Sequence, residues 1–271
     1  MPAQAEKARR FLELHRGERP LLLPNPWDAG SARLLASLGF QALATTSSGS
    51  AATLGMLDGA IGREGSLEHA ATIVQASELP VSADLENGFA PDAAGVGETI
   101  ELAREAGLAG CSIEDYSGEE SAPIYELGEA VERVAAAAEA AHRGPAPLVL
   151  TARAENYLHG RPDLEDTIAR LQGYEQAGAD VLYAPGLVEL ADIRLVVESV
   201  GLPVNVLAWP GVPSVSELAA VGVARVSIGG AFAFAALGAL VEAAVELRDE
   251  GTYGYWERAK AGSKAARAAF R

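Results

Sequence analysis

The chain has 271 residues, 49% hydrophobic and 21% charged, with 21 Lys and Arg against 37 Asp and Glu for a formal net charge of -16. This is enough chain for one large core, and without a cluster of Lys or Arg neither nucleic acid nor an anionic membrane is an expected partner. A single cysteine, Cys111, rules out an internal disulfide; with no signal-peptide core before Arg19 and no apolar run of the roughly 20 residues a membrane span needs, the expected location is cytoplasmic.

In chain order, Glu6 to Arg16 predicts a short surface helix ended by Gly17 and Pro20, and Leu21 to Leu23 a brief apolar strand running into Pro24 and Asn25. Trp27 to Gly30 turns into a helix over Ser31 to Leu38, and Ala42 to Thr46 is a second strand followed by the small polar loop Ser47 to Ser50. Further strands are predicted at Val81 to Leu85, Cys111 to Glu114, Leu148 to Ala152, Val181 to Ala184, Val204 to Leu207 and Arg225 to Ile228. Helices are predicted between them near Leu67 to Ser77, Ala93 to Ala106, Glu126 to His142, Leu164 to Ala177, Glu189 to Ser199 and Ser214 to Val221. A long helix begins near Ala231. Glycines such as Gly107, Gly178, Gly201 and Gly222 stand where helices should stop before the next strand.

Eight apolar strands, each followed by a helix, must pair in parallel, and within about 250 residues that predicts a closed (β/α)8 barrel. No GxGxxG follows the first strand, and no linker divides the chain, so residues 1–271 are expected to form one barrel domain with a C-terminal helical extension.

A barrel makes a spatial prediction: polar residues at the C-terminal strand ends share one rim. Here they are Asn25 and Asp28, Thr46 to Ser48, Asp84 and Glu86, Glu114 and Asp115, Arg153 and Glu155, Asn205, and Ser227. Asp84 and Glu86, two apart, point to one side if the strand persists; with Glu114 on the next strand they offer hard oxygen ligands suited to Mg²⁺. As a pair alone they read equally as solvated loop acids. Arg153 can hold a carboxylate by paired hydrogen bonds, or serve a structural ion pair with Glu155 or Glu114. The small residues Thr45 to Ser50 can present N–H groups to an oxyanion or form an ordinary polar loop, and Ser227 to Gly230 can cradle a phosphate or simply pack at the rim. The histidines do not cluster: His15, His69 and His142 are expected on helix surfaces, while His159 lies in a loop able to reach the rim. Cys111 is expected in the core.

On these residues the chain resembles the isocitrate lyase/phosphoenolpyruvate mutase superfamily, from about Leu21 to the C-terminal helices. Asp84-Leu85-Glu86-Asn87-Gly88-Phe89 is similar to its D-x-D-x-G-[YF] metal motif, Gly110 to Asp115 to its G-x-x-x-E-D, Ala152-Arg153 to its A-R, and Leu54-Gly55 with Asp58 to its L-G-x-x-D. The resemblance implies that Asp84 ligates Mg²⁺ with Glu86 and Glu114 around it, and that Asp58 orders the nearby water. It implies that Thr46, Ser47 and Ser48 bind the carboxylate and oxo group of a pyruvate-like moiety and that Arg153 binds the same moiety or its leaving group; Asp84 and Asn205, at strand ends on the same rim, are further expected substrate contacts. Arg153, Glu114 and Asp58 are the expected catalytic set. The implied reaction is a Mg²⁺-dependent lyase or decarboxylase step on a 2-oxo or 2-hydroxy acid through a pyruvate-type enolate. Alternatives are a phosphonopyruvate-type P–C mutase or hydrolase, and a non-catalytic 2-oxo-acid-binding protein. Two departures stand out: Glu86 occupies a position usually held by Asp, and Tyr116 to Tyr125 contains no counterpart of the lyases' Lys-Cys-Gly-His. Tyr116, Tyr125, Tyr157 and His159 are the remaining candidate proton donors. The resemblance also implies a homodimer or homotetramer in which the eighth helix, apolar on more than one face from Ala231 to Val245, swaps between subunits; the alternative is burial against its own barrel.

Overall fold

The computed structural model describes residues 2–270. Its strands are β1 (Leu21–Leu23), β2 (Leu43–Ala44), β3 (Val81–Asp84), β4 (Gly110–Glu114), β5 (Val149–Arg153), β6 (Val181–Tyr183), β7 (Val204–Leu207) and β8 (Arg225–Ser227). The helices are α1 (Pro2–Leu14), α2 (Ala29–Ser37), α3 (Ser47–Thr53), α4 (Gly62–Ala76), α5 (Ala93–Glu105) and α6 (Leu127–His142). They continue with α7 (Leu164–Gln176), α8 (Leu190–Ser199), α9 (Val215–Ala220), α10 (Ala231–Val245) and α11 (Trp256–Ala269), α10 running on into a π-helical turn over Glu246–Glu250.

All eight strands pair in parallel in the order β1-β8-β7-β6-β5-β4-β3-β2, the (β/α)8 architecture expected. The free edges of β1 and β2 meet where the Ala44 N–H donates to the Pro24 carbonyl at 3.1 Å. Asn25 stitches the same seam: its amide donates to the Thr45 carbonyl at 2.8 Å and its Oδ1 accepts the N–H groups of Ile228 and Gly229, both at 3.1 Å. Short strands suffice because most of their apolar residues are buried between the barrel interior and the helices, as Leu43, Leu150 and Leu182 are. Left-handed glycines at Gly107 (φ 87°) and Gly178 (φ 100°) reverse the chain from helix to strand.

Three expectations change. The first helix is not a surface helix. Ala8 and Phe11 are buried beside Leu21, Ala109, Val149 and Val181, and His15, just past the helix, is buried against Phe11, so α1 and the residue after it plug the N-terminal mouth of the barrel at i, i+3 and i+7. The polar loop Ser47–Ser50 is the opening of a helix, α3, capped by the Thr46 hydroxyl accepting from the Gly49 N–H at 3.3 Å. The helix predicted from Leu67 begins at Gly62.

Burial of α10 against its own barrel is also not observed. Only Ala233 on it is buried, while Phe232, Phe234, Leu240 and Val241 are 43–63% exposed. Beyond it α11 returns to pack on α2, the Phe270 ring lying over Gly30. Among the described residues no helix is long and apolar enough to cross a membrane.

Candidate active site

Register builds the site. β4 and β5 pair with Glu114 opposite Arg153, and β3 lies on the other side of β4 with Asp84 opposite Ser112. The terminal side chains of these three strands therefore meet inside the rim. The Arg153 guanidinium serves three carboxylates: Nη1 to Asp84 Oδ1 at 3.0 Å, Nη2 to Glu114 Oε2 at 3.1 Å, and Nε to Glu155 Oε1 at 2.7 Å. Burial works against the Arg153 charge, but Glu114, Glu155 and Asp84 outweigh it and hold the group well above the usual arginine range. Burial raises Glu114 well above its usual value and raises Glu155 as well, with Arg153 opposing the rise in both.

Asp84 is held from its other side by α3. Its Oδ2 accepts the Ser47 hydroxyl at 3.0 Å and the Ser47 N–H at 3.3 Å, and its own N–H donates to Thr45 Oγ1 at 2.9 Å. Thr46 is buried and Ser48 half-buried, their hydroxyls 3.2 Å apart at the head of α3. The predicted Thr46–Ser48 group is thus brought to Asp84, with Ser47 already bonded to it.

Glu86 leaves the strand. Its backbone is left-handed (φ 47°), a conformation a non-glycine residue adopts only under constraint. Within the described residues its carboxylate has no hydrogen-bond or ion-pair partner. Burial, then the charges of Asp84 and Asp58, push it up to about 7. Asp58 itself is exposed in a turn, accepting only the Gly59 N–H at 3.1 Å.

Asp84, Glu86 and Glu114 do not converge as a ligand set: among the described residues no three His, Cys, Asp or Glu side chains could hold a metal ion by themselves, and Arg153 stands between Asp84 and Glu114. The donor chemistry nevertheless fits Mg²⁺. All donors are hard oxygens, one of them is a half-buried carboxylate lacking a cation, and Mg²⁺ commonly takes one or two carboxylates and keeps its waters.

Below this rim lies a second polar layer. Asn205 is buried with both amide ends engaged, donating to Ser227 Oγ and accepting from Arg225 Nε, both at 2.9 Å. Arg225 also donates to Thr151 Oγ1 at 3.1 Å and lies 3.1 Å from the ring nitrogen Nε2 of His15. No carboxylate joins this group among the described residues, and burial lowers Arg225 to about 10. Burial, with the Arg225 charge beside it, lowers His15 to about 3, so it is a neutral floor residue rather than a surface one. A cavity of about 60 Å³ opens between the layers, lined by Asp84, Arg153, Tyr183, Asn205 and Arg225. Arg225 was legible only as an arginine opening an apolar strand.

Two neighbours of the motif turn away. Asp115 faces outward and is buried under α7, accepting the Tyr174 hydroxyl at 2.5 Å, Arg170 Nη1 at 3.2 Å and the Glu155 N–H at 2.8 Å. Strand alternation sends it to the face opposite Glu114. Asp28 caps α2 through the Ser31 N–H at 2.6 Å. Cys111 is core as expected, its thiol pushed up to about 12 by burial. His159 does reach the rim, stacked on Tyr116 with ring centroids 3.8 Å apart and 4.0 Å from Glu155 Oε2. Burial lowers it, Asp115 opposing and Arg153 adding to the fall.

Residues 11–248 match the family model described as phosphoenolpyruvate phosphomutase. The chain belongs to the isocitrate lyase/phosphoenolpyruvate mutase superfamily. It is similar to a Burkholderia cenocepacia structure provisionally described as a lyase/mutase, with 54% identity and a TM-score of 0.93 over 95% of this chain and 93% of that one. It is 30% identical to the oxaloacetate decarboxylase of Pseudomonas fluorescens over 87% of this chain and 85% of the relative. The structure of 2,3-dimethylmalate lyase, a member of the same superfamily, matches with 27% identity and a TM-score of 0.83 over 92% of this chain and 89% of that one. As a superfamily member the chain is an enzyme of the lyase/mutase type, and the Asp84–Arg153 rim occupies the barrel face where such folds keep their chemistry.

Proposed function

We propose that this rim is the active site of a Mg²⁺-dependent lyase that breaks a C–C bond in a small 2-oxo or 2-hydroxy acid through a pyruvate-type enolate. The observation that carries the reading is Arg153, a fixed cation between Asp84 and Glu114, facing the opening of α3. Its guanidinium is suited to a substrate carboxylate, which would compete for the N–H groups now given to the acids. Thr46, Ser47 and Ser48 supply hydroxyl and N–H donors beside that position, and Asn205 forms part of the floor.

Asp84, with Glu86, Glu114 and Asp58 around it, would hold Mg²⁺. When bound, the ion supplies positive charge where the enolate oxygen becomes negative. The protein's own contribution is orientation: their mutual ion pair and contacts from Glu114, Glu155 and Ser47 lock Asp84 and Arg153 before substrate arrives.

The relatives named as an oxaloacetate decarboxylase and a 2,3-dimethylmalate lyase support C–C cleavage of an oxo or hydroxy diacid. A phosphonate substrate is less well served, because Tyr116 to Tyr125 carries no Lys, Arg or His to meet its charge. The test is turnover of oxaloacetate, substituted malates and phosphonopyruvate with Mg²⁺ and with a chelator. Chelator-sensitive release of CO₂ or a 2-oxo acid is expected. Tight calorimetric binding of oxalate with no turnover on any substrate would make the chain a binder instead. We also propose that the exposed apolar face of α10 is covered by a neighbouring subunit, giving a dimer or tetramer.

A further inference from the structure

An enolate left by C–C cleavage must take a proton on carbon, and the segment after β4 offers no lysine, cysteine or histidine for that step. It is folded into a closed hairpin: Tyr116 bridges Ile124, the Ser117 N–H donates to the Pro123 carbonyl at 2.8 Å, and the Tyr125 N–H to the Asp115 carbonyl at 2.9 Å. Two tyrosines near the rim are poor donors: burial raises the Tyr125 hydroxyl, with the Arg133 charge only opposing the rise, and burial pushes the Tyr183 hydroxyl up to about 12.

His159 is placed differently. It ends a single turn in which its N–H donates to the Glu155 carbonyl at 3.2 Å, and this turn sets the imidazole over Glu155. Nε2 stands 4.0 Å from Glu155 Oε2, while Glu155 Oε1 takes the Nε–H of Arg153 at 2.7 Å. One carboxylate therefore separates the imidazole from the cation that faces the substrate position. The Tyr116 ring, stacked 3.8 Å away at 7°, fixes the plane of the imidazole. The side chain is 28% exposed, enough to exchange a proton with water between turnovers, while Glu155 beneath it is 2% exposed.

Resting on the lyase reading above, we propose that His159, fixed by Tyr116 and Glu155, is the group that delivers the proton to the enolate carbon. The C–C bond breaks, its electron pair enters the enolate, the His159 imidazolium gives its Nε2 proton to carbon as the carbonyl re-forms, and the neutral imidazole left behind takes a proton back from solvent. A histidine serves because its imidazolium is acidic enough to protonate an enolate carbon, and the burial that lowers His159 makes that imidazolium a stronger acid.

The experiment follows oxaloacetate with Mg²⁺ through two products, CO₂ by its release and free enolpyruvate by its ultraviolet absorbance. Wild type should form pyruvate directly. In His159→Gln, CO₂ release should continue, free enol should build up, and pyruvate formation on the enzyme should fall by roughly 10²-fold. His159→Asn, the second variant, should behave alike if Gln disturbs the turn. A folded variant that yields pyruvate without free enol overturns the proposal. So does one that loses CO₂ release while still binding oxalate, since the imidazole would then act before the enolate forms. A wild type that binds oxaloacetate and leaves it intact defeats the lyase reading itself, and the proposal with it.

Discussion

Two arginines inside the barrel, Arg153 and Arg225, lie one layer apart in opposite surroundings. Arg153 at the rim sits among Asp84, Glu114 and Glu155, an excess of negative charge. Arg225 on the floor meets Asn205, Thr151 and His15, and no anion among the described residues. Burying an ion is costly in either case, so each solution reports what its layer is for. At the rim acid is in surplus over Arg153, and among the described residues one carboxylate, Glu86, is left without a partner. On the floor the guanidinium is held by neutral groups that cross-link β5, β7 and β8 to the helix plugging the barrel.

The comparison breaks most sharply at Arg153. Arg153→Met should lower kcat/KM by about 10²–10³-fold, measured on whichever diacid wild type cleaves. It should also lower stability by about 3–5 kcal/mol in urea unfolding, because it strands buried acids. If activity survives, the rim is not the active site.

The floor should show itself in acid. Folded His15 stays neutral down to about 3, whereas the unfolded chain takes that proton below about 6.5. The unfolded state therefore binds more protons within this window, so stability falls as pH drops from about 6.5 towards 3, by up to about 1.4 kcal/mol per pH unit from this residue. His15→Gln, which cannot take the proton, should have a flatter dependence in urea titrations at pH 7, 5.5 and 4.5.

Mg²⁺ should sharpen the contrast by acting on one layer only. At about 100 times its dissociation constant it should add about 2.7 kcal/mol of stability, read as a rise in Tm, and Asp84→Asn should abolish the rise. The smallest effect is expected from Ser47→Ala, which removes the 3.0 Å hydroxyl contact to Asp84 but keeps the N–H. It should cost about 1 kcal/mol in thermal unfolding.

The α/β alternation, the eight strands and the C-terminal glycines were legible because apolar runs and helix stops are local signals. So was the rim: Asp84, Glu114 and Arg153 could be named from their places at strand ends, since in a parallel barrel those ends lie on one face. What stayed hidden depended on which way a side chain turns once strands pair. Asp115, one residue past Glu114, alternates outward to Tyr174 and Arg170. Glu86, two past Asp84, leaves the strand through a left-handed backbone. The first helix was read as surface because its charges mask an Ala8–Phe11–His15 stripe that has meaning only against an open barrel mouth.

The amino-acid sequence by itself determined the barrel, the identity of the acids and arginine at its rim, and the lack of a basic or thiol group after β4. Only the tertiary structure decided that Arg153 stands between the acids and that Arg225 and His15 make a floor. It alone brought Tyr116 and His159 together, from segments 43 residues apart. The physical reason is that residue type and periodicity are encoded along the chain, whereas charge partners are set by strand register and by loops crossing between strands.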